Sequence, residues 1–363
     1  MPDGAERRPS GAAMSGDEGV VAAFLAALPK VELHVHLLGS AAVHTVAELA
    51  GARPDLGVPA DPAELRRYYR FTDFAHFIEV YTAVNRLVTS GPAMVRLVTG
   101  LGDQLALDNV RYAEVTVTPL SHLRMGIAAA ELAEALSIGR RLVAERHRIH
   151  LNWIFDVSAD DGIAGAFATL DWLLRHQPDG TVGFGLGGPE LGAPRRLFRP
   201  AFEKARANGL HAVPHAGETS DAGEIWSAAR DLGAVRIGHG IRAVTEPGLL
   251  AYLSDRNITL EVCPSSNIRT GAVRAFDEHP LPALLAAGVP VTLGSDDPAM
   301  FGTSLTREYQ LCHDRLGLSV AALADLVAAG VDAAFCPAHV AREIRRDLEQ
   351  ARQRFDRPQR TGR

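Results

Sequence analysis

The sequence predicts an α/β fold, a (β/α)8 TIM barrel with a long helical insertion after the first strand. Three observations carry this expectation. Eight short runs rich in Val, Ile and Leu alternate with longer helical patterns over roughly 330 residues. Most of these runs show little polar–apolar alternation, as strands covered on both faces should. The polar residues that interrupt them fall at their C-terminal ends, the edge at which a barrel gathers its site. An open doubly wound sheet is the alternative. No Gly-x-Gly-x-x-Gly opens a helix after the first run, however, so a dinucleotide site is not indicated.

Taken in order, residues 1–18 are Gly, Ala, Pro, Ser and charge, a composition expected of a disordered tail. The strand-like runs follow at 30–38, 110–118, 150–158, 182–188, 210–216, 235–241, 258–264 and 290–296. Between them, 127–148, 222–232 and 280–288 carry helical periodicity. About 70 residues separate the first two strands, far more than a usual βα loop. That segment contains Phe71-Thr72-Asp73-Phe74 and is helical in pattern beyond it. Leaving the C-terminal end of strand one, it is expected to cover the barrel mouth as a lid or specificity insert. The barrel domain is read as 19–345. Residues 346–363 are charged and read as a tail, the end of a helix that frays into solvent.

Composition excludes several classes. With 363 residues, 47% hydrophobic and 22% charged, the chain is an ordinary globular protein. A net charge of −6 leaves no basic footprint for nucleic acid. The three cysteines are scattered, giving neither a disulfide framework nor a Cys-x-x-Cys zinc knuckle. There is no apolar stretch of membrane-spanning length and no signal-like apolar core, so a cytoplasmic enzyme is expected. Oligomeric state is not legible.

The chemistry begins at His34-Val35-His36. Side chains at i and i+2 of a strand share a face, so both imidazoles can reach one point. Strand five ends His215-Ala216-Gly217-Glu218, strand six carries Gly238-His239-Gly240, and strand eight ends Ser295-Asp296-Asp297-Pro298. Each has an ordinary explanation alone. A lone histidine can be a bonded core residue, Glu218 a helix-terminal charge, and Asp297 before Pro298 a helix cap. Five such residues at one end of one barrel are not independent accidents. Three or four N/O ligands with a vacant position fit a catalytic zinc site.

These four motifs, with Pro29-Lys30-Val31-Glu32-Leu33 leading into the first, resemble the adenosine deaminase family of the amidohydrolase superfamily, in order from about residue 28 to 340. The resemblance implies a barrel with one Zn²⁺ and hydrolytic removal of the 6-amino group of an adenine nucleoside. By motif, His34, His36, His215 and Asp296 would be the metal ligands. Glu218 would protonate ring N1, and His239 would take or hold the proton of the attacking water. Asp297 would bond ring N7, and the backbone N–H of Gly188 would meet ring N3.

One position departs from the pattern. Adenosine deaminases carry an acidic residue where this chain has Leu38, and by resemblance that carboxylate binds the ribose 5′-hydroxyl. Leucine offers no hydrogen bond, which points to a substrate without a free 5′-hydroxyl, unless another residue replaces the carboxylate. Phe184-Gly185-Leu186-Gly187-Gly188-Pro189-Glu190 and Val115-Thr116-Val117-Thr118-Pro119-Leu120-Ser121-His122 are similar to those of aminodeoxyfutalosine deaminases of menaquinone biosynthesis. Leu38 would then pack against the substrate's apolar 5′ extension, with Arg70 or Ser121 as candidates for its carboxylate. A purine-salvage adenosine or adenine deaminase is the alternative.

Overall fold

The computed structural model describes residues 16–356. Eight parallel strands stand in the order of the chain: β1 (Lys30–His36), β2 (Val110–Val117), β3 (His150–Ser158), β4 (Thr181–Gly187), β5 (His211–Ala216), β6 (Arg236–His239), β7 (Thr259–Val262) and β8 (Val291–Leu293). Buried branched and aromatic residues fill them, as a sheet covered by helices requires. The ring closes through a parallel bridge between Val35 and Asp296. His36 N donates to Asp296 O at 2.8 Å, and Asp296 N donates to His34 O at 2.9 Å. Closure therefore happens at the candidate site residues themselves.

The expected strands are all present, but the later ones are shorter than their apolar patterns. The runs 235–241, 258–264 and 290–296 keep only Arg236–His239, Thr259–Val262 and Val291–Leu293 in the ladder. Beyond β8 the chain carries Asp296 out of the strand to line the site. The helical patterns at 127–148, 222–232 and 280–288 become Ala129–His147, Ala222–Arg230 and Leu281–Ala286.

Helix α1 (Gly16–Ala27) takes in residues 16–18, while the rest of the expected N-terminal tail lies outside the described residues. Between β1 and β2 lie α2 (Val43–Ala52), α3 (Pro62–Tyr68), α4 (Phe74–Asn85) and α5 (Gly91–Leu107). Asp61 caps α3 by accepting from Ala63 N and Glu64 N, and Asp73 caps α4 by accepting from His76 N. Phe77 rests 5.1 Å, centroid to centroid, from Phe301 just after β8, which ties α4 across the mouth.

The C-terminal helix runs Ala338–Asp356, so residues 346–356 are ordered helix where charge alone suggested a tail. Leu348 is buried in the core, and Phe355 packs on Phe24 of α1 at 4.6 Å. A few apolar residues at helical spacing anchor this charged helix. Residues 357–363 lie outside the described residues. No described helix is long and apolar enough to cross a membrane.

Candidate active site

The C-terminal ends of β1, β5, β6 and β8 bring the predicted polar residues to one point. His36 Nε2 stands 3.2 Å from His215 Nε2 and 3.4 Å from Asp296 Oδ1. His34 Nε2 is 3.5 Å from the same Asp296 oxygen. Gly238 makes this closeness possible, since a Cβ there would stand 2.7 Å from His34 Cε1 and 3.1 Å from His215 Cγ.

The tautomers follow from the outer partners. His34 donates from Nδ1 to Glu261 Oε2 at 2.7 Å, and His215 donates from Nδ1 to Leu186 O at 3.1 Å. Both Nε2 atoms are thereby left as bare lone pairs. His34 Nε2 is buried without a hydrogen-bond partner. Two such lone pairs converging beside a carboxylate stay unsatisfied unless a cation lies between them. Ligands about 2.1 Å from a tetrahedral ion stand about 3.4 Å apart, close to the separations here. His34, His36 and His215 with Asp296 thus fit a divalent ion of the zinc type. Burial pulls the His34 pKa down, yet Asp296 and Glu261 lift it well above the ordinary value, so without a metal ion a proton takes the place of the cation on His34 Nε2.

Glu218 lies over the site, with Oε2 3.5 Å from His239 Nε2 and Oε1 3.0 Å from the Thr270 hydroxyl. Burial first, then the charges of Asp296 and Glu190, push its pKa up to about 8. Asp297 is likewise driven well above the carboxylate range by burial and by Asp296. Adjacent carboxyls thus divide: Asp296 is held ionised by His34, and Asp297 is held protonated.

His239 has its proton placed by a chain of bonds. Leu281 N donates to His279 Nδ1 at 3.1 Å, so His279 carries its proton on Nε2 and donates to Asn267 Oδ1 at 3.2 Å. Asn267 Nδ2 in turn donates to His239 Nδ1 at 3.2 Å. Burial pushes both histidines down to about 4, so both are neutral. Neutral His239 therefore presents an Nε2–H to the site. His239 and Asp296 have φ of 60° and 61°, left-handed backbone that costs energy in side-chain-bearing residues and clusters at functional sites.

The cavity is lined by His36, His215, Glu218, His239, Asp296 and Asp297 on the metal side, with Gly188 on β4's loop. Gly188 has φ +75°, and a Cβ there would stand 2.7 Å from Ser158 Oγ, so the bare backbone edge is obligatory. Phe74, Phe77, Ile78 and Tyr81 of α4 form an apolar wall, which places the insertion over the site as its position after strand one suggested. Leu38 is 3% exposed, packs in the core, and is not among the lining residues. Ser121 lines the cavity; Arg70 is exposed and does not.

Sequence reasoning passed over the residues behind the site. Glu261 is held by Arg236 Nε at 2.6 Å, and Arg236 also pairs with Glu114 across the barrel. Glu190 accepts from the N–H groups of Gly217, Glu218 and Ser220 at 2.8, 3.0 and 3.2 Å, which fixes the loop carrying Glu218. The available signal was charge inside an apolar run: Arg236 and Glu261 are the one formal charge in theirs, and Glu114 shares its run with Arg111.

A family model described as adenosine deaminase matches residues 29–351. The chain belongs to the adenosine deaminase family. It is therefore a hydrolase acting on cyclic amidines, a deaminase. It is 48% identical over 319 residues to an aminodeoxyfutalosine deaminase of Streptomyces coelicolor, covering 87% of this chain and 82% of that one. Among solved structures of the family's fold, an adenine deaminase from Arthrobacter aurescens superposes with a TM-score of 0.85 at 28% identity, over 90% of this chain and 99% of that one. An amidohydrolase from Burkholderia ambifaria with bound zinc gives 0.85 at 25% identity, over 96% and 97% of the two chains.

Proposed function

We propose that this protein deaminates the adenine ring of aminodeoxyfutalosine, using one zinc ion per chain held by His34, His36, His215 and Asp296. When bound, such an ion acidifies water towards neutral pH. The remaining work belongs to the side chains around it. Glu218, protonated at pH 7, donates to ring N1 as C6 becomes tetrahedral. Protonated Asp297 donates to N7, and Gly188 N–H to N3. His239, with its proton on Nε2, donates a hydrogen bond to the attacking oxygen and orients it. This narrows the expected role from taking a proton to holding the oxygen in place. As the tetrahedral C6 collapses, the proton of its new hydroxyl passes to the departing amine, which leaves as ammonia, and Glu218 recovers the proton that the attacking water gave up.

The observation that carries the substrate reading is the replacement of an acidic residue by Leu38 in a site whose outer wall is Phe74, Phe77, Ile78 and Tyr81. A free 5′-hydroxyl finds no carboxylate from β1, whereas an apolar 5′ extension finds aromatic surface. The apolar contact comes from α4, with Leu38 packed behind. The name of the 48%-identical relative supports the same substrate. Of the two candidates for the extension's carboxylate, Ser121 lines the cavity and Arg70 does not.

The test is kcat/KM on zinc-loaded enzyme for aminodeoxyfutalosine, adenosine and adenine. Aminodeoxyfutalosine should exceed adenosine by at least about tenfold, the scale of one mismatched buried hydrogen bond. Preference for adenosine or adenine would replace this reading with purine salvage.

A further inference from the structure

Besides Glu190, which holds the Glu218 loop, two acidic side chains lining the cavity take no part in the chemistry above: Asp160, which is exposed, and Asp156, which is buried. Asp156 stands two residues before the end of β3, is 3% exposed, and lines the cavity. Its Oδ1 accepts from Thr118 Oγ1 at 2.6 Å, the one side-chain donor to it among the described residues. A carboxylate has about four acceptor positions, so most of its capacity faces the cavity unspent. Leaving such a group buried and under-bonded is costly unless a ligand completes it. Burial pushes its pKa up, and nearby His36 opposes that.

The position of Asp156 follows from the orientation of the purine. In a purine, N9 lies between the N7 and N3 edges and opposite C6. With C6 at the metal, N7 at Asp297 after β8 and N3 at Gly188 after β4, the glycosidic bond points to the arc formed by β1, β2 and β3. On that arc the cavity presents Thr118, Asp156 and Ser158. A ribose there offers two adjacent O–H donors, and Asp156 offers two adjacent acceptor oxygens.

We infer that Asp156, steadied by Thr118, binds the 2′,3′-diol of the substrate's ribose and supplies the sugar carboxylate that Leu38 cannot. This rests on the reading that the substrate is an adenine nucleoside held as above. It explains how the site recognises ribose while leaving the 5′ position free to carry an apolar group. Asp156 is a specificity residue rather than a proton donor, so its loss should appear in KM far more than in kcat.

The test is a cycle between enzyme and ligand on the zinc-loaded full chain. Inosine and 2′,3′-dideoxyinosine are titrated into wild type, Asp156→Ala and Asp156→Asn by calorimetry, and adenosine and 2′,3′-dideoxyadenosine are compared as substrates. Wild type should bind the diol about ten- to a hundredfold more tightly than the dideoxy compound, one or two hydrogen bonds' worth. Asp156→Ala should reduce that ratio to within about threefold, with Asp156→Asn intermediate. Thr118→Val should shrink the ratio in part, and serves if the alanine variant does not fold. An undiminished ratio in the variants would overturn the assignment. Because the binding arm needs no turnover, it stands even if aminodeoxyfutalosine is not the preferred substrate, which the kcat/KM comparison decides separately.

Discussion

Glu218→Gln keeps the shape of the side chain and removes its acidic proton. At a pKa of about 8, about 90% of Glu218 is protonated at pH 7, whereas at its ordinary 4.5 the acid fraction would be about 0.3%. Burial and the neighbouring Asp296 and Glu190 thus supply a several-hundredfold gain in competent acid. Glutamine has no such proton at any pH, so kcat should fall by about 10²–10⁴, the range for positioned general acids. Zinc content should not change, because Glu218 is not among the ligands. The assay is ammonia release under saturating substrate, with metal measured on the same samples. More than about a tenth of wild-type kcat in the variant would refute the assignment.

The same shift has a consequence for stability that is independent of turnover. Metal-free native protein holds a proton on Glu218 that the unfolded chain releases between pH 4.5 and about 8. Stability from this group is therefore full below pH 4.5 and lost as pH rises towards 8. At 1.36 kcal/mol per pH unit the ceiling is about 5 kcal/mol. Glu32 titrates in the same window but is common to both proteins, so it cancels in the comparison. Metal-free Glu218→Gln should gain on wild type in denaturant unfolding as pH rises from 5 to 8. A gap that does not change with pH would mean that Glu218 is ionised throughout.

Two further outcomes are expected. Chelation should abolish deamination, and His36→Ala or Asp296→Ala should lose zinc and activity together; a metal-free preparation with full activity would dismiss the ligand set. Arg236→Met strands buried Glu114 and Glu261 and should destabilise the fold by about 3–5 kcal/mol in urea, with weaker zinc retention because Glu261 no longer fixes His34. A cost under about 1 kcal/mol would show the cross-barrel pair to be dispensable.

The fold and the inner ring of the site were legible for one reason. A barrel gathers the C-terminal ends of its strands, so a polar residue ending an apolar run carries its own address. His34, His36, His215, His239 and Asp296 each stand where a strand pattern stops. The C-terminal segment reads as a fraying helix end because charge dominates its composition, whereas the helix is anchored as far as Phe355. Its anchoring depends on Leu348 and Phe355, whose partners lie far away in sequence. The Asn267–His279 relay was invisible for the same reason. Nothing local distinguishes an asparagine that sets a tautomer from one that caps a helix.

Leu38 shows where motif spacing stops being geometry. It follows His36 by two residues, which in a continuing strand would return its side chain to the face of the histidines. The strand ends at His36, however, and the chain turns: Ser40 N donates to His36 O at 3.1 Å, and Ala41 N to Leu38 O at 3.0 Å. Alternation no longer applies, and the turn carries Leu38 into the core. The information in Leu38 is thus an absence, the lack of a carboxylate beside the metal ligands. What replaces it comes from strand β3, as Asp156, and from helix α4, as an aromatic wall. Neither is near Leu38 in sequence, so specificity in this site is divided between segments that only the closed barrel brings together.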